Sequence, residues 1–233
     1  MAGLEPLVEL FRGLPRKGPG SEASTRRLLS LCQPHLPPHP VVADFGCGAG
    51  ASTGVLAEAL DGPIHAVDAC GPYLDELWDL LGRRGLQDRL LLHCADLAEP
   101  GFPTGSLDLI WSEGAIYLLG FGAGLRRWRP LLRPGGCLAV TEMTWLSPEP
   151  PLPAREAWQA WYPDMGTLDH NLRTARDAGF EVLGTFPLPP EDMTHYLQAT
   201  PARAQAFARQ SGFEGVVAEV EGECPLHAAH GHR

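Results

Sequence analysis

The sequence predicts an α/β fold in which a parallel sheet is covered by helices on both faces. Short apolar runs typical of strands alternate with helix-like stretches from residue 41 to residue 141, and this alternation favours parallel strands joined by helical crossovers. The 233 residues suit one large α/β domain. Hydrophobic residues make up 44% of the chain and charged residues 20%, which is average usage and excludes a disordered or fibrous protein.

Five strands and three helices are predicted within this central region. Each strand is a short apolar run, and each helix has a helical composition or apolar residues at helical spacing. The predicted strands are 41–45, 64–67, 90–94, 107–111 and 137–141, and the predicted helices are 51–60, 73–81 and 125–132. The Arg-Pro-Gly-Gly segment at 133–136 is expected to end the third helix.

The flanking regions are predicted to be less regular. After a proline-rich loop at 147–153 we expect a helix at 168–178, a strand at 180–186, a helix at 202–210 and a last strand at 216–220. Near the N-terminus, Ser21 is expected to cap a helix at 22–31. The prediction is one domain over residues 1–233, with a helical lid at 1–35 that closes over a bound ligand and a disordered tail at 225–233.

Charge and cysteine usage exclude several classes of protein. The net charge of −10 argues against a nucleic acid partner, because binding to phosphates needs clustered cations. Six cysteines without CxxC spacing indicate reduced thiols, and no apolar run approaches the roughly 20 residues of a membrane span. The first residues lack the order of a signal peptide, so we expect a cytoplasmic protein without a membrane partner. The histidines of the tail are expected to be solvated, and no metal site is predicted.

A glycine-rich loop is the strongest local motif. Residues 41–50 read VVADFGCGAG, so a buried strand leads into Gly46, Gly48 and Gly50 before a predicted helix. Glycine permits a sharp turn and close approach of a ligand to the backbone. The start of the helix offers free N–H groups and a positive dipole end. The loop is therefore expected to hold an anionic or carboxylate-bearing part of a ligand.

Acidic residues follow three successive predicted strands. Asp44 lies in the first strand, Asp68 ends the second, and Asp96 follows the third. A carboxylate at the position of Asp68 can accept hydrogen bonds from vicinal ribose hydroxyls, and one at Asp96 can accept from an adenine amino group. Each aspartate alone is more simply a helix cap or a solvated residue. Their shared placement at one edge of the sheet favours a nucleoside-binding site.

Together these motifs resemble the class I S-adenosylmethionine-dependent methyltransferases. The resemblance rests on the GxGxG loop, the three aspartates and the segment 132–136 (LRPGG), and it covers residues 40–187 in order. The segments 107–122 and 18–21 resemble a narrower bacterial subgroup, similar to the ubiquinone/menaquinone methyltransferases. The resemblance implies a three-layer Rossmann-like sandwich with a seven-stranded, mostly parallel sheet of order 3-2-1-4-5-7-6. Its last strand is antiparallel, and 216–220 is the candidate for it.

The resemblance also implies the cofactor and its site. S-adenosylmethionine would be bound and S-adenosylhomocysteine released. The residues expected to bind the cofactor are Asp44, Gly46, Cys47, Gly48, Asp68, Ala69, Asp96, Leu97, Ser112 and Ser21.

The end of the fourth strand is expected to face the transferred methyl group, because ligands bind outside the carboxyl ends of parallel strands. Glu113 is predicted there as a general base or as the holder of a cationic acceptor, and a structural hydrogen bond to the N-terminal segment or the cofactor is the alternative. The motif of methyltransferases that act on nucleobase amines is absent, since Ser112 and Glu113 precede a glycine and an alanine. The other residues predicted to reach the acceptor are Tyr117, His195 and Tyr196, with Tyr162 and His170 as weaker candidates.

The predicted function is methyl transfer from S-adenosylmethionine to a small molecule, by a monomer or a homodimer. One alternative is a protein that binds S-adenosylmethionine or S-adenosylhomocysteine without catalysis. A nicotinamide-dependent oxidoreductase is the other, which the GxGxG spacing disfavours because dinucleotide sites carry GxGxxG. An aminopropyl transferase and a cysteine-dependent arsenite methyltransferase are weaker possibilities.

Overall fold

A five-stranded parallel sheet forms the centre of the protein in the computed structural model, which describes residues 5–194 and 196. Its strands are β1 (Val42–Phe45), β2 (Ile64–Asp68), β3 (Leu90–Cys94), β4 (Leu107–Ser112) and β5 (Leu132–Val140). They pair in the order β3-β2-β1-β4-β5, and every pairing is parallel. The order of the strands reverses at β1, which has β2 on one side and β4 on the other, and this switch point creates the crevice where ligands of such sheets bind.

Helices cover both faces of this sheet, as predicted. They are α1 (Glu5–Phe11), α2 (Glu22–Cys32), α3 (Ala51–Ala59), α4 (Gly71–Arg83), α5 (Phe121–Trp128), α6 (Leu152–Trp161) and α7 (Leu168–Asp177). Alternate residues of β1 point into different apolar clusters: Val42 packs with side chains of α2, α3 and α4, whereas Phe45 packs with Trp128 of α5. The result is the predicted three-layer α/β sandwich.

Two local predictions near the ends of helices can be compared directly with the structure. Ser21 caps α2, because its Oγ accepts a hydrogen bond from the backbone N–H of Ser24 at 3.2 Å. The third predicted helix is displaced, since α5 begins at Phe121 and Pro130 lies in a short 3₁₀ helix after it. Strand β5 therefore begins at Leu132 and includes the Pro-Gly-Gly segment that was expected to end the helix.

The region after β5 differs most from the prediction. A second, two-stranded sheet pairs β6 (Thr144–Trp145) with β7 (Gly166–Thr167), and α6 lies between them. The segment 180–186 was predicted as a strand, but it pairs with no described strand. It packs on α2 instead: Gly184 lies against Leu31, and the Arg27 guanidinium lies 4.0 Å from the centre of the Phe186 ring.

The remaining C-terminal predictions fall outside the described residues. These are the helix at 202–210, the antiparallel strand at 216–220 and the tail at 225–233. Among residues 5–194 and 196, no helix combines the length and the apolar character that a membrane span needs.

Candidate active site

The glycine loop leaves β1 in a conformation that needs glycine. Gly46 and Gly50 have φ angles of +75° and +86°. A Cβ on Gly46 would lie 2.3 Å from the Cβ of Ala115, and one on Gly50 would lie 2.5 Å from Cγ of Leu77. The loop therefore packs tightly on its inner side, and helix α3 begins immediately after it without a side-chain cap, so its first N–H groups are available to a ligand.

Asp44 lies beneath this loop and is 1% exposed. Its Oδ2 accepts a hydrogen bond from the Thr53 hydroxyl of α3 at 2.7 Å. Burial raises the pKa of the Asp44 carboxyl to about 7, although the bond from Thr53 opposes that rise. The neighbouring Cys47 is also buried, and burial raises the pKa of its thiol. Asp44 thus fixes the loop to the helix that follows it.

Asp68 joins the end of β2 to the loop. Its Oδ2 accepts a hydrogen bond from the Gly48 N–H at 2.9 Å, and its Oδ1 accepts one from the Cys70 N–H at 2.8 Å. Burial is the main cause that raises the pKa of this carboxyl. Each carboxylate oxygen keeps a second lone pair, so Asp68 can still accept hydrogen bonds from a ligand. The exposed Ala69 follows it directly.

Asp96 and Leu97 follow β3 at the same edge of the sheet. Asp96 is exposed, and its Oδ1 accepts a hydrogen bond from the Ala98 N–H at 2.7 Å. Leu97 is buried beside the glycine loop, with its Cδ1 3.6 Å from the position of a Cβ on Gly46. The structure therefore brings the predicted acidic residues to one edge of the sheet, beside the apolar side chain of Leu97.

Glu113 follows β4 and is engaged by three donors. Arg16 Nη1 lies 2.7 Å from its Oε2, and its Oε1 accepts hydrogen bonds from the Thr25 hydroxyl at 2.7 Å and from Trp111 Nε1 at 3.0 Å. Its side chain is only 5% exposed. This geometry favours the structural alternative, in which Glu113 ties the N-terminal segment to the end of β4.

The N-terminal segment also crosses the glycine loop. Lys17 Nζ lies 2.6 Å from Oε2 of Glu76 on α4 and 4.8 Å from the centre of the Tyr73 ring. Its Cγ lies 3.4 Å from the position of a Cβ on Gly48. Residues 16 and 17 thus lie over the loop, where a lid is predicted.

A large cavity of about 1220 Å³ adjoins this site. Residues that follow β4 and β5 line one part of it, including Glu113, Tyr117 and Glu142. Tyr196 lines it too, and its ring stacks with Phe11 at a centroid distance of 6.3 Å. Ser112 is fully buried, and its Oγ has no hydrogen-bond partner among the described residues.

Two predicted acceptor residues are not brought to this cavity by the described structure. His170 is exposed and lines a separate cavity of about 570 Å³ beside Gly120 and Arg126. His195 lies outside the described residues.

Glu142 is a candidate that the sequence analysis missed. It lies two residues after the end of β5 and lines the large cavity together with Tyr162. Burial raises the pKa of its carboxyl to about 7, and the nearby Tyr162 hydroxyl opposes that rise. The signal was available, because an acidic residue directly after a strand of a parallel sheet falls at the ligand-binding edge.

Comparison with known proteins agrees with this architecture. Residues 42–136 match the family described as "Methyltransferase domain". The chain is 32% identical over 123 residues to dimethylglycine N-methyltransferase of Parasynechococcus marenigrum, covering 52% of this chain and 44% of that protein. It is 33% identical over 134 residues to nocamycin O-methyltransferase of Saccharothrix syringae, covering 56% of this chain and 45% of that protein. The matches thus span less than half the length of these relatives.

A solved structure extends the likeness to nearly the whole chain. The S-adenosylmethionine-dependent methyltransferase of Geobacter sulfurreducens, crystallised with S-adenosylhomocysteine, superposes with a TM-score of 0.82 at 17% identity. The superposition covers 97% of this chain and 92% of that one, and it establishes a shared fold. Residues 42–136 thus match a methyltransferase domain, and the chain as a whole shares the fold of the S-adenosylmethionine-dependent methyltransferases.

Proposed function

We propose that this protein transfers a methyl group from S-adenosylmethionine to a small-molecule acceptor and releases S-adenosylhomocysteine. The observation that carries the proposal is the junction of the glycine loop with Asp68, where the Gly48 N–H donates to the carboxylate at the end of the neighbouring strand. This junction lies inside the matched methyltransferase domain. The names of the two relatives above, one an N-methyltransferase and one an O-methyltransferase, support a small-molecule acceptor.

The residues present fit this cofactor. Asp68 has lone pairs left for ribose hydroxyls, and the exposed carboxylate of Asp96 can accept from an adenine amino group beside the apolar side chain of Leu97. Ser112 Oγ is buried without a described partner and can bond to a polar group of the amino acid part. Gly46, Cys47, Gly48 and Ala69 would contribute backbone contacts along the crevice, and Ser21, which caps α2, would contact the cofactor from the N-terminal side.

The cofactor supplies a sulfonium methyl group that an acceptor can take in one displacement. The protein's own contribution is alignment and the exclusion of water. Glu113 holds Arg16 and with it the segment that crosses the loop, so we assign Glu113 a positioning role. Tyr117 and Tyr196 line the cavity where an acceptor would lie, and His195 remains a predicted acceptor residue.

Calorimetric titration with S-adenosylmethionine, S-adenosylhomocysteine and NADH tests the proposal. We expect micromolar binding of the first two ligands and none of NADH. Asp68→Asn should weaken cofactor binding at least about tenfold, because a hydrogen bond to a charged group contributes about 1.5–3 kcal/mol. Asp79→Asn is the matched control, since Asp79 is exposed on α4 and no described residue bonds to its carboxylate.

Two outcomes would favour the alternatives. Binding of NADH alone would refute the methyltransferase assignment in favour of a nicotinamide-dependent oxidoreductase. Tight binding of S-adenosylmethionine without methyl transfer to any member of a panel of amines, alcohols, thiols and carbon acids would favour a non-catalytic binding protein.

We also propose that the protein acts in the cytoplasm as a monomer or homodimer, without a nucleic acid partner. The net charge of −10 supports the last point, and the free thiols of the five described cysteines are consistent with a reducing compartment. Membership of the subgroup similar to ubiquinone/menaquinone methyltransferases stays a prediction. Light scattering on the purified protein measures the oligomeric state.

A further inference from the structure

Two buried polar atoms in the large cavity have no described partner. Oε2 of Glu142 and the hydroxyl oxygen of Tyr162 are both buried, and the hydroxyl lies near enough to the carboxyl to oppose the rise in its pKa, yet neither oxygen makes a hydrogen bond of ordinary length and angle with a described residue. Tyr162 is only 7% exposed. Buried polar groups are nearly always satisfied, so a pair of this kind in a cavity indicates a ligand group that is missing.

In its ionised form the carboxylate of Glu142 only accepts hydrogen bonds, so the group that completes it is a cation or a hydrogen-bond donor. No described lysine or arginine forms an ion pair with Glu142. The basic side chains that line the same cavity are engaged elsewhere: Lys17 with Glu76, Arg129 with the Gly179 carbonyl, and Arg133 with Asp108. Among the described residues, therefore, no basic side chain neutralises the charge of Glu142.

Aromatic side chains line the same cavity as this acidic group. Trp145 of β6 and Trp158 of α6 are buried and line the cavity, and Trp161 lines it as well. Tyr117 meets Tyr162 edge to face at a centroid distance of 6.0 Å. Aromatic faces attract ammonium groups through the ring quadrupole, and this attraction grows when water is excluded.

Glu142 also lies close to the end of β4, where the methyl group is expected. The preceding residue, Thr141, donates its N–H to the Ser112 carbonyl at 3.1 Å and accepts at Oγ1 from the Gly114 N–H at 2.8 Å. The acid is therefore tied through one residue to the segment that follows β4. This placement puts it on the acceptor side of the site.

We propose that the methyl acceptor is a small aliphatic amine, bound as its ammonium ion by Glu142 and Tyr162 within this aromatic wall. The inference rests on the proposed function. Glu142 takes the N–H proton, which exposes the nitrogen lone pair. That lone pair forms the new N–C bond while the donor's C–S bond breaks, its electron pair stays on sulfur, and the proton leaves Glu142 for water.

A pair of probes matched in shape tests the binding site without turnover. Tert-butylammonium and tert-butanol are titrated separately into the protein saturated with S-adenosylhomocysteine, and tryptophan fluorescence and calorimetry report binding. We expect the ammonium ion to bind at least about tenfold more tightly than the alcohol. Equal affinities, or binding of neither probe, would overturn the inference.

Three variants assign the preference to Glu142. Glu142→Gln keeps the shape, removes the charge and should abolish the preference for the cation. Tyr162→Phe keeps the ring and should weaken cation binding a few-fold. Glu149→Gln is the control, because Glu149 is exposed in the same loop region and should leave the preference unchanged. A preference that survives in Glu142→Gln would contradict the proposal.

The experiment separates the two levels of inference. Failure of S-adenosylhomocysteine to bind would count against the proposed function, whatever the amine probes do. Binding of S-adenosylhomocysteine without any preference for the ammonium ion would refute the amine site alone and leave the methyltransferase proposal intact.

Discussion

Replacing Glu142 by glutamine should stabilise the protein in a manner that depends on pH. The carboxyl has a pKa of about 7 in the folded protein, compared with 4.5 without burial. Because the folded-state pKa is the higher one, the native state holds this proton more tightly than the unfolded state does. The native state therefore loses stability as the pH rises from 4.5 to about 7, and glutamine, which does not ionise, avoids that loss.

The difference in pKa sets the size of the effect. Raising the pKa of Glu142 from 4.5 to about 7 lowers the unfolding free energy by about 3 kcal/mol when the pH is above both values. It lowers the unfolding free energy by nothing when the pH is below both values. Asp44 also has a pKa of about 7, but it is present in both proteins, so its contribution cancels in the difference. We therefore expect Glu142→Gln to gain about 3 kcal/mol at about pH 8 and almost nothing at about pH 4.

Urea denaturation of the two proteins at several pH values measures this gain. The slope of unfolding free energy against urea should stay the same, since the substitution exposes no new surface. Glu149→Gln, at an exposed position, should show no gain at any pH. A gain that is equal at all pH values, or a loss at about pH 8, would show that Glu142 is not a buried acid without a partner.

Three further predictions concern the cofactor side. Gly46→Ala should lower the unfolding free energy by about 2–4 kcal/mol in thermal melts, because its φ is +75° and its Cβ would meet Ala115 at 2.3 Å; an unchanged melting temperature would contradict this. Thr53→Val should cost about 1–3 kcal/mol, more at about pH 8 than at about pH 5, since the lost hydrogen bond keeps the pKa of Asp44 down. Glu113→Gln should release the N-terminal segment, so trypsin should cleave near residue 16 several-fold faster, and equal cleavage rates would disprove that anchoring role.

The central sheet was predictable from the sequence because its strands are short and apolar, and because helices lie between most of them. The periodicity of α4 is an example: Leu74, Leu77 and Leu81 are the side chains that it buries. The order of the five strands in the sheet could not be predicted from the spacing of apolar residues. It followed from the resemblance to the methyltransferases, whose motifs identify which strand carries the glycine loop.

The region after β5 was less predictable for physical reasons. The strands β6 and β7 have two residues each, too few for an alternating pattern to be visible. Helix α6 begins inside a proline-rich stretch. Two prolines stand at its start, where proline is compatible with a helix, but in the sequence they indicate a loop. The segment 180–186 has the composition of a strand, but tertiary packing against α2 decides its conformation.

The acidic residues show most clearly what could not be predicted from the sequence, namely which side chains each of them contacts. Asp44, Asp68, Glu113 and Glu142 all lie in or directly after strands of one parallel sheet, and by spacing alone each is an equal candidate for binding or catalysis. Their hydrogen-bond partners distinguish them. Asp44 accepts a hydrogen bond from a threonine hydroxyl, and Asp68 accepts from two backbone N–H groups. Glu113 accepts from an arginine, a threonine and a tryptophan. Of these four acids, only Glu142 has a buried oxygen with no hydrogen-bond partner among the described residues. An unpaired buried carboxylate lowers the stability of the folded protein. A cationic substrate that pairs with Glu142 in the cavity lined by tryptophans would offset this cost, which explains why the protein carries an acid there.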